Sequence, residues 1–323
     1  MSDRDPYFDN AKYLAIVLVV CGHMIEDLRE EPIAHALYFY VYIFHMPLFI
    51  TLSGYLSRNF TFSSGKARKL IATLAVPYVL FELAYSVPRL LLYGKLELSL
   101  LDPYYLTWFL MSLFLWRLST PVWQQLRWPL AVAVGLSLLS GTSALPDELS
   151  MNRTLGLLPF YVLGLMLRPE HFELLRRPYM KVVGGATLAA GLVAALALHD
   201  LVPTEWIRWR HANTAIGVDD LTGSLIRLGM LAAGAVLVAA FMAVTPRQRT
   251  WFSGLGSATM YAYLLHGFVV KAAERLHLGV PLSIALGVVV ATVLCTPPVR
   301  AAFGWAVEPR MSWAFTALRR PVR

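Results

Sequence analysis

The chain has 323 residues, 57% of them hydrophobic and 15% charged, with a formal net charge of +8 and a mean hydropathy of +0.57. That is far more apolar than one soluble core requires, so a water-soluble globular domain is excluded and a membrane protein is indicated. The positive charge falls in short clusters between apolar runs and not along one face, which argues for juxtamembrane charge and against a nucleic-acid partner. Cys21 and Cys295 both sit inside apolar runs, so neither a disulfide framework nor a cysteine metal cluster is expected.

At about 20 residues per bilayer crossing, the apolar stretches predict an all-α, polytopic bundle of about ten transmembrane helices forming a single domain over 1–323. Their expected positions are 11–28, 34–56, 70–92, 104–119, 129–145, 154–167, 181–199, 222–244, 255–273 and 281–303. The first run lacks a small-residue cleavage site and is read as a retained helix, not a signal peptide. Basic residues concentrate in alternate loops: Arg58, Lys66, Arg68 and Lys69; Arg117 and Arg127; Arg168, Arg176, Arg177 and Lys181; Arg247 and Arg249. These loops, and both termini, are therefore expected on the cytoplasmic side. The longest outer connection, about His199 to Leu221, carries Trp206 and Trp209 and is expected to cover the outer face as an interfacial helix or lid.

Ionisable side chains at membrane depth are costly and mark function by default. His23, His45 and His266 qualify, and the predicted spans let all three reach one cavity. In an unbroken helix Glu26 and Asp27 would follow His23 at i+3 and i+4, so either carboxylate can orient the ring of a general base. The bland alternative is a buried histidine with solvated acids at the helix end. Lys12 returns to nearly the same helical face about 16 Å nearer the cytoplasm. His45 precedes Pro47, which fits either a site residue or a structural kink. Tyr263 lies one turn before His266, an arrangement that also suits a structural hydrogen bond. Lys66, Arg68 and Lys69 suit the phosphates of a nucleotide-bearing donor or serve only as a topology signal. Glu82 and Arg89 share a face of the third span, and Trp108 belongs most simply to an interfacial aromatic belt.

Asp9-Asn10-Ala11-Lys12-Tyr13-Leu14-Ala15-Ile16, Val20-Cys21-Gly22-His23, Phe44-His45-Met46-Pro47-Leu48-Phe49 and Ser53-Gly54-Tyr55 resemble the acyltransferase-3 family, most closely its short members related to fucose 4-O-acetylases. Arg68-Lys69-Leu70 leading to Val76-Pro77-Tyr78, Leu158-Pro159-Phe160 with Leu163-Gly164, and Tyr263-Leu-Leu-His266 extend the likeness over nearly the whole chain. The resemblance implies a membrane-embedded O-acyltransferase that moves an acyl group, usually acetyl, from cytoplasmic acyl-CoA to a hydroxyl of a carbohydrate or other extracytoplasmic acceptor. A location in a bacterial plasma membrane, contact with lipid and no tightly bound cofactor are expected with it, and from the placement of the cysteines no metal is expected. The family's Arg-x10-His pattern matches Lys12 and His23 with lysine in place of arginine, which keeps the cation but not the bidentate fork. Its cytoplasmic Arg-x-x-Arg maps loosely onto Lys66-x-x-Lys69, with Arg68 between. On this reading His23, Glu26, Asp27 and His45 are the catalytic candidates, and Lys12, Lys66, Arg68 and Lys69 the donor-binding ones. Tyr263, His266, Arg89 and Trp108 are candidates for acceptor or oxyanion contacts. The rival class is a secondary transporter or exporter of a polar small molecule or glycan, whose intramembrane ionisable groups would relay protons.

The orientation is testable by cysteine labelling in intact cells. Residues 57–69, 168–180 and 245–252 should be protected from an impermeant reagent, and labelling of two of these loops from outside would reverse the assignment.

Overall fold

The structure, a computed structural model, describes residues 5–94, 99–145 and 148–315, those at 64, 88–93 and 312 by backbone alone. All regular structure among the described residues is helical. In chain order the helices are α1 (Pro6–Met24), α2 (Pro32–Ser57), α3 (Ser64–Leu70), α4 (Val76–Tyr93), α5 (Trp108–Trp123), α6 (Pro129–Gly141), α7 (Met151–Gly156) and α8 (Leu158–Met166). There follow α9 (Pro169–Leu175), α10 (Pro178–Leu198), α11 (Thr204–Arg208), α12 (Asp220–Val244), α13 (Thr259–Ala273), α14 (Val280–Leu294) and α15 (Pro297–Val307). A π-turn at Ile71–Ala75 joins α3 to α4 without a break.

Helices stand at all ten predicted positions, but fewer are long and apolar enough to cross a bilayer alone. Among the described residues these are Pro32–Ser57, Gly65–Val87, Pro178–Leu198 and Asp220–Val244. Val280–Leu294 and Pro297–Val307 add a fifth if taken together, but they bend by 72°. The expected straight span over 281–303 is thus broken. Pro297 and Pro298 explain the break, since proline disfavours helix in the residue before it and cannot donate to the preceding turn. α1 is long enough at 19 residues, yet Asp9, Asn10 and Lys12 dilute its apolar character. The predicted span at 154–167 divides at Leu157, just ahead of Pro159, into α7 and α8.

The exposed surface is that of a membrane protein. Val182 and Val193 on α10, Leu221 and Leu225 on α12, and Leu282 and Val289 on α14 are all more than half exposed. Apolar faces of this extent are stable only against lipid. Within the bundle α1 packs against α2, α13 and α14. Polar side chains stitch neighbouring helices where no water can serve them: Trp116 Nε1 donates to the Thr154 carbonyl at 2.9 Å, Ser112 and Thr154 share a bond at 2.6 Å, and Thr120 meets the Tyr161 hydroxyl at 2.7 Å. Each such bond removes the cost of an unsatisfied polar group in hydrocarbon.

Two close crossings set the position of α2. At the first, Gly54 faces Gly164 of α8 so tightly that a Cβ on Gly54 would collide with the Tyr161 carbonyl, and one on Gly164 with the Thr51 carbonyl. Small residues at a helix contact permit this approach of backbones. At the second, Pro47 deprives the Ile43 carbonyl of its helical donor. That oxygen faces Gly234 of α12, where a Cβ would lie 3.1 Å away. Pro47 therefore has a packing role as well as a place beside the cavity described below. A Gly54→Ala exchange forces α2 and α8 apart and should destabilise the folded protein by about 1–3 kcal/mol, the usual scale of overpacking. Thermal melting in detergent would measure it, and an unchanged melting temperature would mean that the crossing is looser than described.

Candidate functional site

α1 ends at Met24, and the peptide N–H of Ile25 closes it on the carbonyls of Cys21 and His23. His23 therefore sits in the last helical turn, and Glu26 is delivered by a separate 3-10 turn, Glu26–Leu28. This corrects the expectation of one helical face carrying both. The carboxylate nonetheless reaches the ring: His23 Nδ1 lies 3.0 Å from Glu26 Oε2. Asp27 is exposed and turned away, with no bond to His23, so of the two predicted orienting acids the geometry selects Glu26. The Tyr42 hydroxyl lies 3.0 Å and the Tyr105 hydroxyl 3.5 Å from the same Nδ1. With Nδ1–H directed at these oxygens, Nε2 is left as the basic atom.

Glu26 is itself anchored from a distant part of the chain. Arg208 Nη2 donates to Glu26 Oε1 at 2.9 Å, and Arg208 Nε donates to the Tyr38 hydroxyl at 3.1 Å. Burial alone would raise the carboxyl pKa, but the bond from His23 and the positive charges of His23, Arg208 and Arg29 pull it down to about 2. Glu26 is accordingly an anion, held between the Arg208 guanidinium and the Nδ1–H of His23.

His23 and Glu26 open into a cavity of about 290 Å³ whose walls include Tyr42, His45, Tyr105, Trp108, Arg153 and Arg208. Val19, Met46 and Pro47 also line it, as do residues 150–153, Glu205 and residues 207–211. His45 is almost fully buried, and its Nδ1–H donates to the Val41 carbonyl at 2.9 Å. His266 is fully buried, its ring centroid 5.3 Å from that of His23, and its Nδ1–H donates to the Ala262 carbonyl at 2.9 Å, while Nε2 meets no partner. Tyr263 lines the cavity but gives its hydroxyl proton to the Leu106 carbonyl. In these tautomers His45, His266 and Tyr263 have no spare proton for an oxyanion, which counts against the donor role expected of Tyr263 and His266. Trp108 is a wall of the cavity and not a simple belt residue, with the Arg153 guanidinium 5.1 Å from its ring centroid.

The predicted donor-binding residues lie elsewhere. Lys12 pairs with Asp9 at 2.6 Å toward the start of α1, about 16 Å of helix from His23. Lys66, Arg68 and Lys69 are on α3, which follows the far end of α2; Lys66 Nζ is bound to the Asn59 carbonyl and the Thr61 hydroxyl, and Arg68 lies 5.4 Å from the Phe315 ring. None of the four lines the cavity. The side chain of Arg89 lies outside the described residues, and with it the predicted Glu82–Arg89 pairing. Glu82 accepts the Tyr104 peptide N–H at 2.7 Å and the Thr107 hydroxyl, which holds the turn that brings Tyr105 and Trp108 to the cavity.

Sequence reasoning did not single out Tyr42, Tyr105, Arg153 or Arg208. A weak signal existed for the arginines: Arg153, Arg208 and Arg210 fall in segments expected outside, against the charge rule, although Arg29, Lys95 and Arg275 do so too. The connection after α10 carries α11, whose Glu205, Ile207 and Arg208 line the cavity, and its far side is tied down by Arg227 of α12, buried between Trp206 and Trp209. Arg227 donates to Asn213 Oδ1 at 3.0 Å and to the His211 carbonyl at 2.7 Å. Three residues on the cavity wall, Tyr105, Ser150 and Trp209, hold left-handed backbone with φ of 49°, 47° and 54°. Such angles in non-glycine residues cluster at functional sites.

Residues 5–300 match the family model described as an acyltransferase domain, that of the acyltransferase-3 family. Nodulation protein NolL of Sinorhizobium fredii is 24% identical over 308 residues, covering 86% of this chain and 81% of that protein. Nodulation protein NolL of Mesorhizobium japonicum is 43% identical over 60 residues, 17% of this chain and 16% of that one. No solved structure matches.

The geometry separates the two acids beside His23. Glu26→Gln should lower the acyl-transfer rate per folded molecule at least about tenfold, the scale on which an orienting partner acts. Asp27→Asn should leave it within about twofold. Equal losses would mean that both act through the general charge of the turn.

Proposed function

The chain belongs to the acyltransferase-3 family, and on that premise we propose that it is a single transmembrane O-acyltransferase unit with His23 as general base. The observation that carries the reading is the 3.0 Å contact of His23 Nδ1 with an ionised, Arg208-anchored Glu26 at the wall of a cavity. A histidine so held keeps one tautomer and one orientation, and its conjugate acid is stabilised as it forms.

In the proposed reaction Nε2 of His23 takes the proton of the acceptor hydroxyl as that oxygen attacks the thioester carbonyl of acyl-CoA. The tetrahedral intermediate collapses with loss of the CoA thiolate, which recovers the proton from His23. The acceptor becomes an ester, and no redox change or further reagent is involved. Arg153, at the cavity wall, is the guanidinium we assign to the charge that develops on the carbonyl oxygen or to the acceptor. Trp108, Tyr42 and Tyr105 supply aromatic faces of the kind that suit a sugar ring, consistent with a carbohydrate acceptor. The acyl group proposed is acetyl.

The separation of the basic helix α3 from the cavity fits a two-sided arrangement. The nucleotide end of the donor would rest at Lys66, Arg68 and Lys69 on the cytoplasmic side, with Lys12 along the route inward, and the acceptor would enter at the α11 side from outside the cell. The ten helical segments would then form the bundle in a bacterial plasma membrane, the shorter ones spanning in pairs or with tilt, and both termini cytoplasmic.

Exchange of His23 for alanine removes the base and makes the helix more apolar, so catalytic and structural roles part. Specific activity per folded molecule, followed as CoA release in the presence of an acceptor, should fall about 100-fold or more with the melting temperature preserved. Retention of more than half the wild-type activity would reject His23 as the base.

A further inference from the structure

A second cluster of ionisable groups lies apart from the cavity. His35 is in the first turn of α2, and His199 with Asp200 caps the C-terminus of α10. None of the three lines the His23 cavity. His199 Nδ1 is 2.8 Å from Asp200 Oδ1, His35 Nδ1 is 3.7 Å from the same oxygen, and the two ring nitrogens are 3.3 Å apart. The imidazole planes cross at 63° with centroids 4.9 Å apart, so the rings converge edge-on and are not stacked. His199 is buried, whereas the Asp200 side chain is 79% exposed.

Three atoms able to donate electron pairs therefore lie within 3.7 Å of one another. The point equidistant from them lies about 1.9 Å from each, from the three separations above. An ion displaced slightly from their plane would reach all three at about 2.0–2.1 Å, the bond length of Zn²⁺ to imidazole nitrogen and carboxylate oxygen. The separations also bracket the roughly 3.3 Å edge of a tetrahedron with bonds of that length. Two nitrogen ligands disfavour Mg²⁺ and Ca²⁺, which take oxygen, and the three separations leave no pair of ligands opposite one another across the ion, which disfavours square-planar Cu²⁺.

We infer that His35, His199 and Asp200 form a binding site for a divalent transition-metal ion, best suited to Zn²⁺, with the fourth position open to solvent beside Asp200. The site would be a clamp. His199 and Asp200 begin the connection that carries Arg208 and Trp209 to the cavity, and Arg227 already fastens its other side through Asn213 and His211. A metal bridging His35 to His199 would fasten the near side to α2. The expectation of no metal rested on the cysteines, whereas these histidines are 164 residues apart in sequence and meet only in the fold.

The test uses full-length, metal-stripped protein in detergent with any affinity tag removed, titrated with Zn²⁺ against a chromophoric chelator. One ion should bind per chain and raise the melting temperature, and Co²⁺ should give the intense visible bands of a tetrahedral site. His35→Ala and Asp200→Asn should each weaken binding about 100-fold or more, beyond what an outer-shell change produces, and abolish the melting shift. Asp200 is exposed, so its variant should fold as the wild type does. Absence of Zn²⁺ binding by the wild type, or equal affinity in both variants, would overturn the proposal and leave the cluster as a hydrogen-bonded histidine pair.

Discussion

A carboxylate withdrawn from water at the margin of a membrane is stable only beside matched positive charge, and the pairing of Glu26 with His23 and Arg208 meets that demand. Much of the architecture around the cavity follows from it. Arg208 has to be brought to Glu26, so α11 folds over the end of α1, and Arg227 is buried between two tryptophans to keep that segment down. Tyr38 and Tyr42, on one face of α2 and stacked with centroids 3.8 Å apart, accept and extend the same network. The base, its orienting acid and the cover of the cavity are thus one electrostatic unit assembled from four separate elements.

The sequence was informative where a property is local. α2, α10 and α12 follow from sustained apolar runs. It was less informative where the outcome depends on partners far along the chain. Arg208 is 182 residues from Glu26, and nothing in either neighbourhood announces the pair. Glu26 and Asp27 were equivalent on an idealised helix, and only the termination of α1 at Met24 distinguishes them. The bend after α14 was legible in Thr296-Pro297-Pro298, but hydropathy averaged across it. The broken α7–α8 segment was hidden the same way.

The two ends of the bundle differ in the kind of chemistry they present. One end gathers lysine and arginine on a short, solvent-exposed helix, suited to a polyanion that binds and leaves. The other holds arginines whose hydrogen bonds are largely committed to protein, suited to fixing the shape of a cavity. This contrast agrees with a protein that handles different reactants at different faces, and it locates the demand for precision at the end that holds the His23 cavity.

The left-handed backbone at Tyr105, Ser150 and Trp209 bears on how the protein would respond to selection for heat resistance. Each such residue costs about 1 kcal/mol or more, so glycine at any of the three would relieve conformational energy. It would also delete the side chain and free the backbone that shapes the opening. A lineage drifting toward thermal tolerance at these positions would therefore gain robustness while its selectivity among acceptors broadened, and one under pressure for a single acceptor would retain the strain.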